Sequence, residues 1–206
     1  MESPLMHAGA RTLFTVGHST RSVDELVAIL RPVAVTRLVD IRSIPRSRTN
    51  PQFNEELLPT TLAGAGIHYM RLAALGGRRS KQPTSAGANS GWQVRAFQNY
   101  ADYASTAEFE TGLSELLELA AHETCAIMCS EAVWWRCHRR IVSDYVLTRG
   151  IPVVHLLSAS KRDPAQLTPF AIVSPDGHLT YPPPHPNPDQ PPSNPFAVPT
   201  SHKKRS

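Results

Sequence analysis

The chain has 206 residues, 41% of them hydrophobic, and a formal charge of +4, enough for one ordinary globular domain with a sizeable core. No apolar run approaches the length of a membrane span. The first ten residues, with Glu2 and no hydrophobic centre, lack the form of a secretory signal, so the expectation is a cytoplasmic protein with no membrane partner. Cys125, Cys129 and Cys137 are odd in number and come without an export signal, which argues against a disulfide framework and leaves free thiols or metal ligands.

Residues 1–10 show no periodicity and read as a loose arm ahead of a domain over 11–180. Thr12-Leu-Phe-Thr-Val16 is a short run of β-formers that stops at Gly17-His18-Ser19. Ser22-Val-Asp-Glu25 then supplies a capping box, and Val23, Leu26, Val27 and Leu30 share one helical face before Pro32. Val33 to Ile41 predicts a second strand, which runs into the polar loop from Arg42 to Pro51. Asn54 is positioned to cap a short helix carrying Leu57, Leu58 and Leu62, and Ile67-His-Tyr-Met70 suggests a third strand. The stretch from Leu75 to Gly91 reads as a long loop.

Val94, Phe97, Ala101 and Ala104 keep a helical period, and Ser105-Thr-Ala-Glu108 is a second capping box before Phe109, Leu113, Leu116 and Leu117. Thr124 to Met128 predicts a fourth strand, Arg136 to Arg149 a helix closed by Gly150, and Ile151 to Leu157 a fifth, nearly all-apolar strand. Strands that are continuous apolar runs, alternating with helices, predict an α/β fold: a mainly parallel sheet of about five strands, covered on both faces. Pro175-Asp-Gly177 predicts a small terminal hairpin. Nine of the last 26 residues are proline, which predicts a disordered tail over 181–206. That tail carries Lys203, Lys204 and Arg205 against Asp189, half of the excess charge, so overall basicity says little about nucleic acid. There is no internal repeat, no dinucleotide fingerprint and no P-loop.

In open parallel sheets the ligand crevice lies outside the carboxyl ends of the strands. Those ends bring His18, Asp40, Arg42, Cys129, Glu131 and Ser158 to one rim, provided that the strands are parallel. Cys129 is readable as a thiolate, stabilised by a helix N-terminus and by Arg136, Arg139 or His138, or as a small buried hydrophobe. Glu131 can orient His138, act as a general base or form a structural ion pair; His138 can be acid, base or anion donor, or a helix-start histidine. Arg140 and Asp144, at i,i+4 spacing, are expected to support the helix. Arg42, Arg46 and Arg48 on a proline-stiffened loop suit a clamp for phosphate or carboxylate, with Asp40 pinning the loop. Arg78, Arg79 and Lys81 can extend the basic surface, and Trp134 and Trp135 can stack on a base or cover the helix start. Cys129, Cys137, His138 and His18 could supply metal ligands, but the close CxxC or HxxxH pair usual in structural zinc sites is missing, and no metal is assigned.

Thr15-Val-Gly-His-Ser19, Val39-Asp-Ile-Arg-Ser43 with Pro45, Ser47-Arg48 and Asn50-Pro-Gln-Phe53, Leu75-Gly-Gly77, and the run from Met128 to Arg139 occur in this order. Together they resemble the bacterial and archaeal family catalogued as domain of unknown function 488, over roughly residues 12–157. The resemblance implies a compact α/β domain and marks His18, Asp40, Arg42, Arg48, Cys129, Glu131, Cys137, His138 and Arg139 as motif positions. It implies no reaction and no cofactor. Trp134 stands where many members are expected to carry proline or another residue, and the segment 80–91 and the tail after 160 lie outside the motifs.

Three functions are compatible with these residues. The first is an enzyme acting on a phosphate-bearing substrate, a nucleotide or nucleic acid, with Cys129, Glu131 and His138 catalytic and His18, Asp40, Arg42, Arg48, Arg136 and Arg139 binding. The second is a non-catalytic binder of nucleic acid or an anionic small molecule. The third is a metal or thiol-redox sensor built on Cys129 and Cys137.

Overall fold

Five helices and six of the eight strands build one layered α/β unit in the computed structural model, which describes residues 11–82 and 87–183. The expectations for an N-terminal arm over 1–10 and for a disordered tail fall, from 184 onward, outside the described residues. The sheet has the order β3-β2-β4-β1-β5-β6. Its parallel strands are β1 (Leu13–Gly17), β2 (Arg37–Asp40), β3 (His68–Arg71), β4 (Cys125–Cys129) and β5 (Val153–Leu156). A sixth strand, β6 (Arg162–Pro164), adds antiparallel to β5 at the edge. Three residues bearing Arg162, Asp163 and Pro164 carry no apolar period, so the sequence gives no sign of it.

The apolar runs face both ways because both faces are covered. Leu13, Val39, Cys125, Ile127 and Val153 pack toward α3 (Arg95–Tyr103), α4 (Ala107–His122) and α5 (Arg139–Thr148). Val16, Leu38, Ala126, Met128 and Leu156 pack toward α1 (Val23–Leu30) and α2 (Leu58–Ala63). β1 and β2, the two neighbours of β4, continue into α1 and α2 on one face, whereas β4 continues into α5 on the other. Such a reversal opens a crevice at the carboxyl ends of the strands. The termini of β1, β2 and β4 all lie there.

Helix starts follow local chemistry in part. Ser22 accepts from the Glu25 amide while Glu25 accepts from the Ser22 amide, the reciprocal cap expected of α1. For α4 the cap is Thr106, one residue beyond the expected Ser105. Asn54 does not cap α2 with its side chain; its Oδ1 accepts from the Ser47 amide and folds the arginine loop back on itself. Between Val133 and Cys137 the chain makes one 3-10 turn, so α5 begins at Arg139 and not at Arg136.

After β6 the chain crosses α5 and forms the short hairpin β7 (Ile172–Val173) and β8 (Leu179–Thr180), turned at Gly177 with a positive φ of 82°. Tyr181 beyond it is fully buried, and its hydroxyl donates to Asp144 at 3.0 Å. The other Asp144 oxygen accepts from the Thr168 amide at 2.9 Å. Arg140 does not pair with Asp144: its guanidinium donates to Thr168 and lies over the Trp92 ring. Asp144 therefore ties the C-terminal segment to α5 as a nearly unexposed carboxyl group.

Burial raises the Asp144 carboxyl to about 6, against the hydrogen bonds from Thr168 and Tyr181 that lower it. Between about pH 4 and pH 6 the folded chain holds a proton here that the unfolded chain has released, so this group removes stability as pH rises through that window. The shift from 3.8 to about 6 corresponds to roughly 3 kcal/mol. Urea unfolding of Asp144→Asn between pH 4 and pH 6 should show stability holding up better with rising pH than in the wild type; parallel curves would contradict it.

Candidate active-site cleft

β1 and β4 stay paired beyond their last regular residues: the His18 amide donates to the Cys129 carbonyl and the Ser19 amide to the Ser130 carbonyl, both at 2.9 Å. Gly17 permits this junction, since a Cβ there would collide with the Glu131 carbonyl. His18 is buried and stacked on Phe53, ring centroids 4.1 Å apart. Its Nδ1 lies 2.8 Å from the Ser19 carbonyl, which can only accept, so the proton sits on Nδ1 and Nε2 accepts from Arg42 at 3.2 Å. Burial holds this imidazole down at about 4, against the Ser19 carbonyl, with the Arg42 charge adding to burial. His18 is thus a neutral, fully engaged ring.

Asp40, at the end of β2, has no exposed surface. It accepts from the Arg42 amide at 3.0 Å, from Arg42 Nε at 2.9 Å and Nη2 at 2.5 Å, and from the Tyr69 hydroxyl at 2.9 Å. Arg42 also donates to the Phe53 carbonyl at 2.7 Å. The partner of the buried carboxylate is therefore Arg42, and the pair fastens the arginine loop to the end of β1.

Cys129 ends β4, and Cys137 and His138 lead into α5. The His138 Nδ1 lies 3.9 Å from the Cys129 sulfur and 3.6 Å from the Cys137 sulfur, while Nε2 lies 3.1 Å from the Ile41 carbonyl. Gly77 from the long loop packs against this ring so closely that a Cβ would run into it, and Tyr100 meets its edge. Hydrogen bonding to Cys137, together with burial, pushes the Cys129 thiol up to about 12. Burial would push Cys137 up as well, but the Cys129 hydrogen bond and the Arg139 guanidinium bring it down to about 6. The more acidic thiol of the pair is Cys137.

The three side chains face a cleft of about 830 Å³ whose walls include His18, Arg42, Arg46, Arg78, Glu131 and Arg136. Glu131 and Arg136 are exposed on its margin. Arg139 is 1% exposed and lies beneath, donating to the Cys137 sulfur at 3.3 Å and to the Glu131 carbonyl. Arg48 is exposed and is not among the residues facing the cleft; Arg46 of the same loop is, although it also pairs with Glu56. Of the expected residues, then, the fold brings His18, Arg42, Cys129, Glu131, Arg136 and His138 together around one cleft, buries Asp40 and Arg139 behind it, and leaves Arg48 outside.

Two features of this region had no sequence signal. One is the Ile41 carbonyl as partner of His138, which no side-chain pattern can announce. The other is a prop behind the cleft: the Trp134 ring stacks on buried His155 at 4.4 Å, and His155 shares a hydrogen bond with Thr15. Trp134 donates to Asp163 at 2.9 Å, so it covers the chain before α5, while Trp135 is half exposed.

Comparison with known proteins finds one family, described as Domain of unknown function DUF488, whose model matches residues 22–146. No curated protein and no solved structure matches the chain.

Removing one partner of a buried ion pair strands the other charge, at about 3–5 kcal/mol. Asp40→Asn should lose stability of that order in urea unfolding. Adding Arg42→Met to it should recover part of the loss, because no buried charge is then left alone; a double variant worse than the single one would contradict this assignment.

Proposed function

Because this chain belongs to the DUF488 family, whose description names no activity, we propose from its geometry that it is an enzyme acting on a phosphate-bearing substrate bound in the cleft. The observation that carries this reading is the convergence of two thiols and an imidazole at the carboxyl ends of parallel strands, facing a cleft bordered by guanidinium groups. Arg78 and Arg136 have no acidic partner within ion-pair distance among the described residues, so their charge is free to hold an anion. Arg42 and Arg139 are committed to internal partners and act by positioning. Cys129, Cys137 and His138 carry the chemistry, and Glu131, whose carboxylate has no hydrogen bond among the described residues, supplies a base.

A screen of nucleotides and short oligonucleotides by thermal shift and product formation tests the reading. A phosphate-bearing ligand should raise the melting temperature, and Arg78→Ala with Arg136→Ala should weaken that effect. Cys129→Ser and Glu131→Gln should keep the fold but lose turnover, and Glu131→Gln should also keep the binding. Failure of every such ligand to bind wild-type protein would remove the proposal.

One observation favours a second reading. Beyond Gly77 a shallow groove continues along Arg78, Arg79 and Arg95, which suits a longer polyanion held without chemistry. In that case affinity for single-stranded nucleic acid falls steeply with salt and is indifferent to Cys129→Ser.

A further inference from the structure

We propose that Cys129, Cys137 and His138 form a Cys2His site for a thiophilic divalent cation, zinc foremost, with a fourth position open to the cleft. Their donor atoms all lie within 4.8 Å of one another, and among the described residues no other group of three such side chains converges in this way. In a tetrahedral site, Zn–S bonds of about 2.3 Å and Zn–N bonds of about 2.0–2.1 Å separate sulfur from nitrogen by roughly 3.6 Å. The two separations here are 3.6 Å and 3.9 Å. Two Zn–S bonds at the same angle separate the sulfurs by roughly 3.8 Å, and here the donor atoms lie within 4.8 Å of one another, so seating a cation asks the side chains to close in by at most about an ångström.

The tautomer of His138 points the same way. A backbone carbonyl cannot donate, so the Nε2 beside Ile41 carries the proton and Nδ1 turns its lone pair toward the two sulfurs. Histidines that bind metals are held in this manner, with the distal N–H donated to a carbonyl or carboxylate. Thiols buried only as small apolar groups would give that lone pair nothing better than weak S–H donors. Arg139, donating to the Cys137 sulfur, supplies the outer support that a thiolate ligand needs. Two thiolates and a neutral imidazole balance a dication, and sulfur with imidazole selects zinc over magnesium or calcium.

His18, the fourth ligand that its type suggested, is excluded because both its ring nitrogens are engaged elsewhere. Three protein ligands with an open position is the pattern of catalytic zinc, not structural zinc. That the open position receives a phosphate oxygen rests on the reading of the cleft given above; the three-ligand site does not.

The test uses the full chain, stripped of metal by a chelator under reducing conditions and titrated with Co2+ as a spectroscopic probe. One equivalent should produce a thiolate-to-cobalt charge-transfer band and the d–d bands of a tetrahedral ion, both displaced by Zn2+. Loss of an outer-shell partner costs roughly 10–100-fold in affinity, so Cys129→Ser and His138→Asn should each weaken uptake at least about that much. Cys125→Ser, which leaves the three ligands in place, should not. Absence of the charge-transfer band in a chain that circular dichroism shows to be folded overturns the site, as does an undiminished band in both ligand variants. Inorganic phosphate that shifts the d–d bands supports the open position; phosphate that raises the melting temperature without moving them overturns it. If phosphate stabilises the chain and no cobalt binds, the cleft reading stands and the metal site falls.

Discussion

A carboxylate without exposed surface at the end of a strand is tolerable only when its lone pairs are met, and Asp40 meets four donors, three from Arg42 and one from Tyr69. The remaining donors of Arg42 reach the His18 ring and the Phe53 carbonyl, so one ion pair joins the end of β1, the end of β2 and the loop that follows. Ile41 sits between the two charged residues, with its side chain in the core and its carbonyl against His138. The orientation of that imidazole, and with it the direction of its free lone pair, depends on a charge pair one residue to either side.

The arginines divide by burial into two kinds of work. Arg42 and Arg139 spend their donors on a carboxylate, backbone carbonyls, an imidazole and a thiol, and they hold neighbouring strands and turns in register. Arg78 and Arg136 stay at the margin of the cleft without an acidic partner among the described residues, and Arg46 stays there paired with Glu56. A planar, permanently charged group with five donors suits both roles. The sequence alone does not sort one kind from the other, because all lie in polar stretches of similar composition.

The parallel sheet was legible because uninterrupted apolar runs such as Ala126-Ile-Met128 demand cover on both faces, and the strand ends then had to share a rim. Cys129, Glu131 and His138 could be brought together on that basis. The limits of legibility were equally physical. Ser105 and Thr106 are chemically alike as caps, and only the path of the chain selects the second. Arg140 and Asp144 have the spacing of an ion pair, but the crossing C-terminal segment offers Asp144 better partners in Thr168 and Tyr181. Arg46 and Arg48 differ by two residues in an irregular loop, where no period says which one turns inward. The neutral state of His18 follows from its burial and from the Arg42 guanidinium of the loop after β2, neither of which its own sequence neighbours announce.

The buried Tyr181 bears on how this protein can be dissected. The family match spans 22–146, yet β1 lies inside the sheet between β4 and β5, and β5 with the tyrosine anchor comes after residue 146. A fragment trimmed to the matched span would lack two interior strands, β1 and β5, would expose apolar surface of β4 and α5 to water, and would lose His18. Recombinant truncations intended for crystallisation or spectroscopy therefore have to retain at least Leu13 to Tyr181.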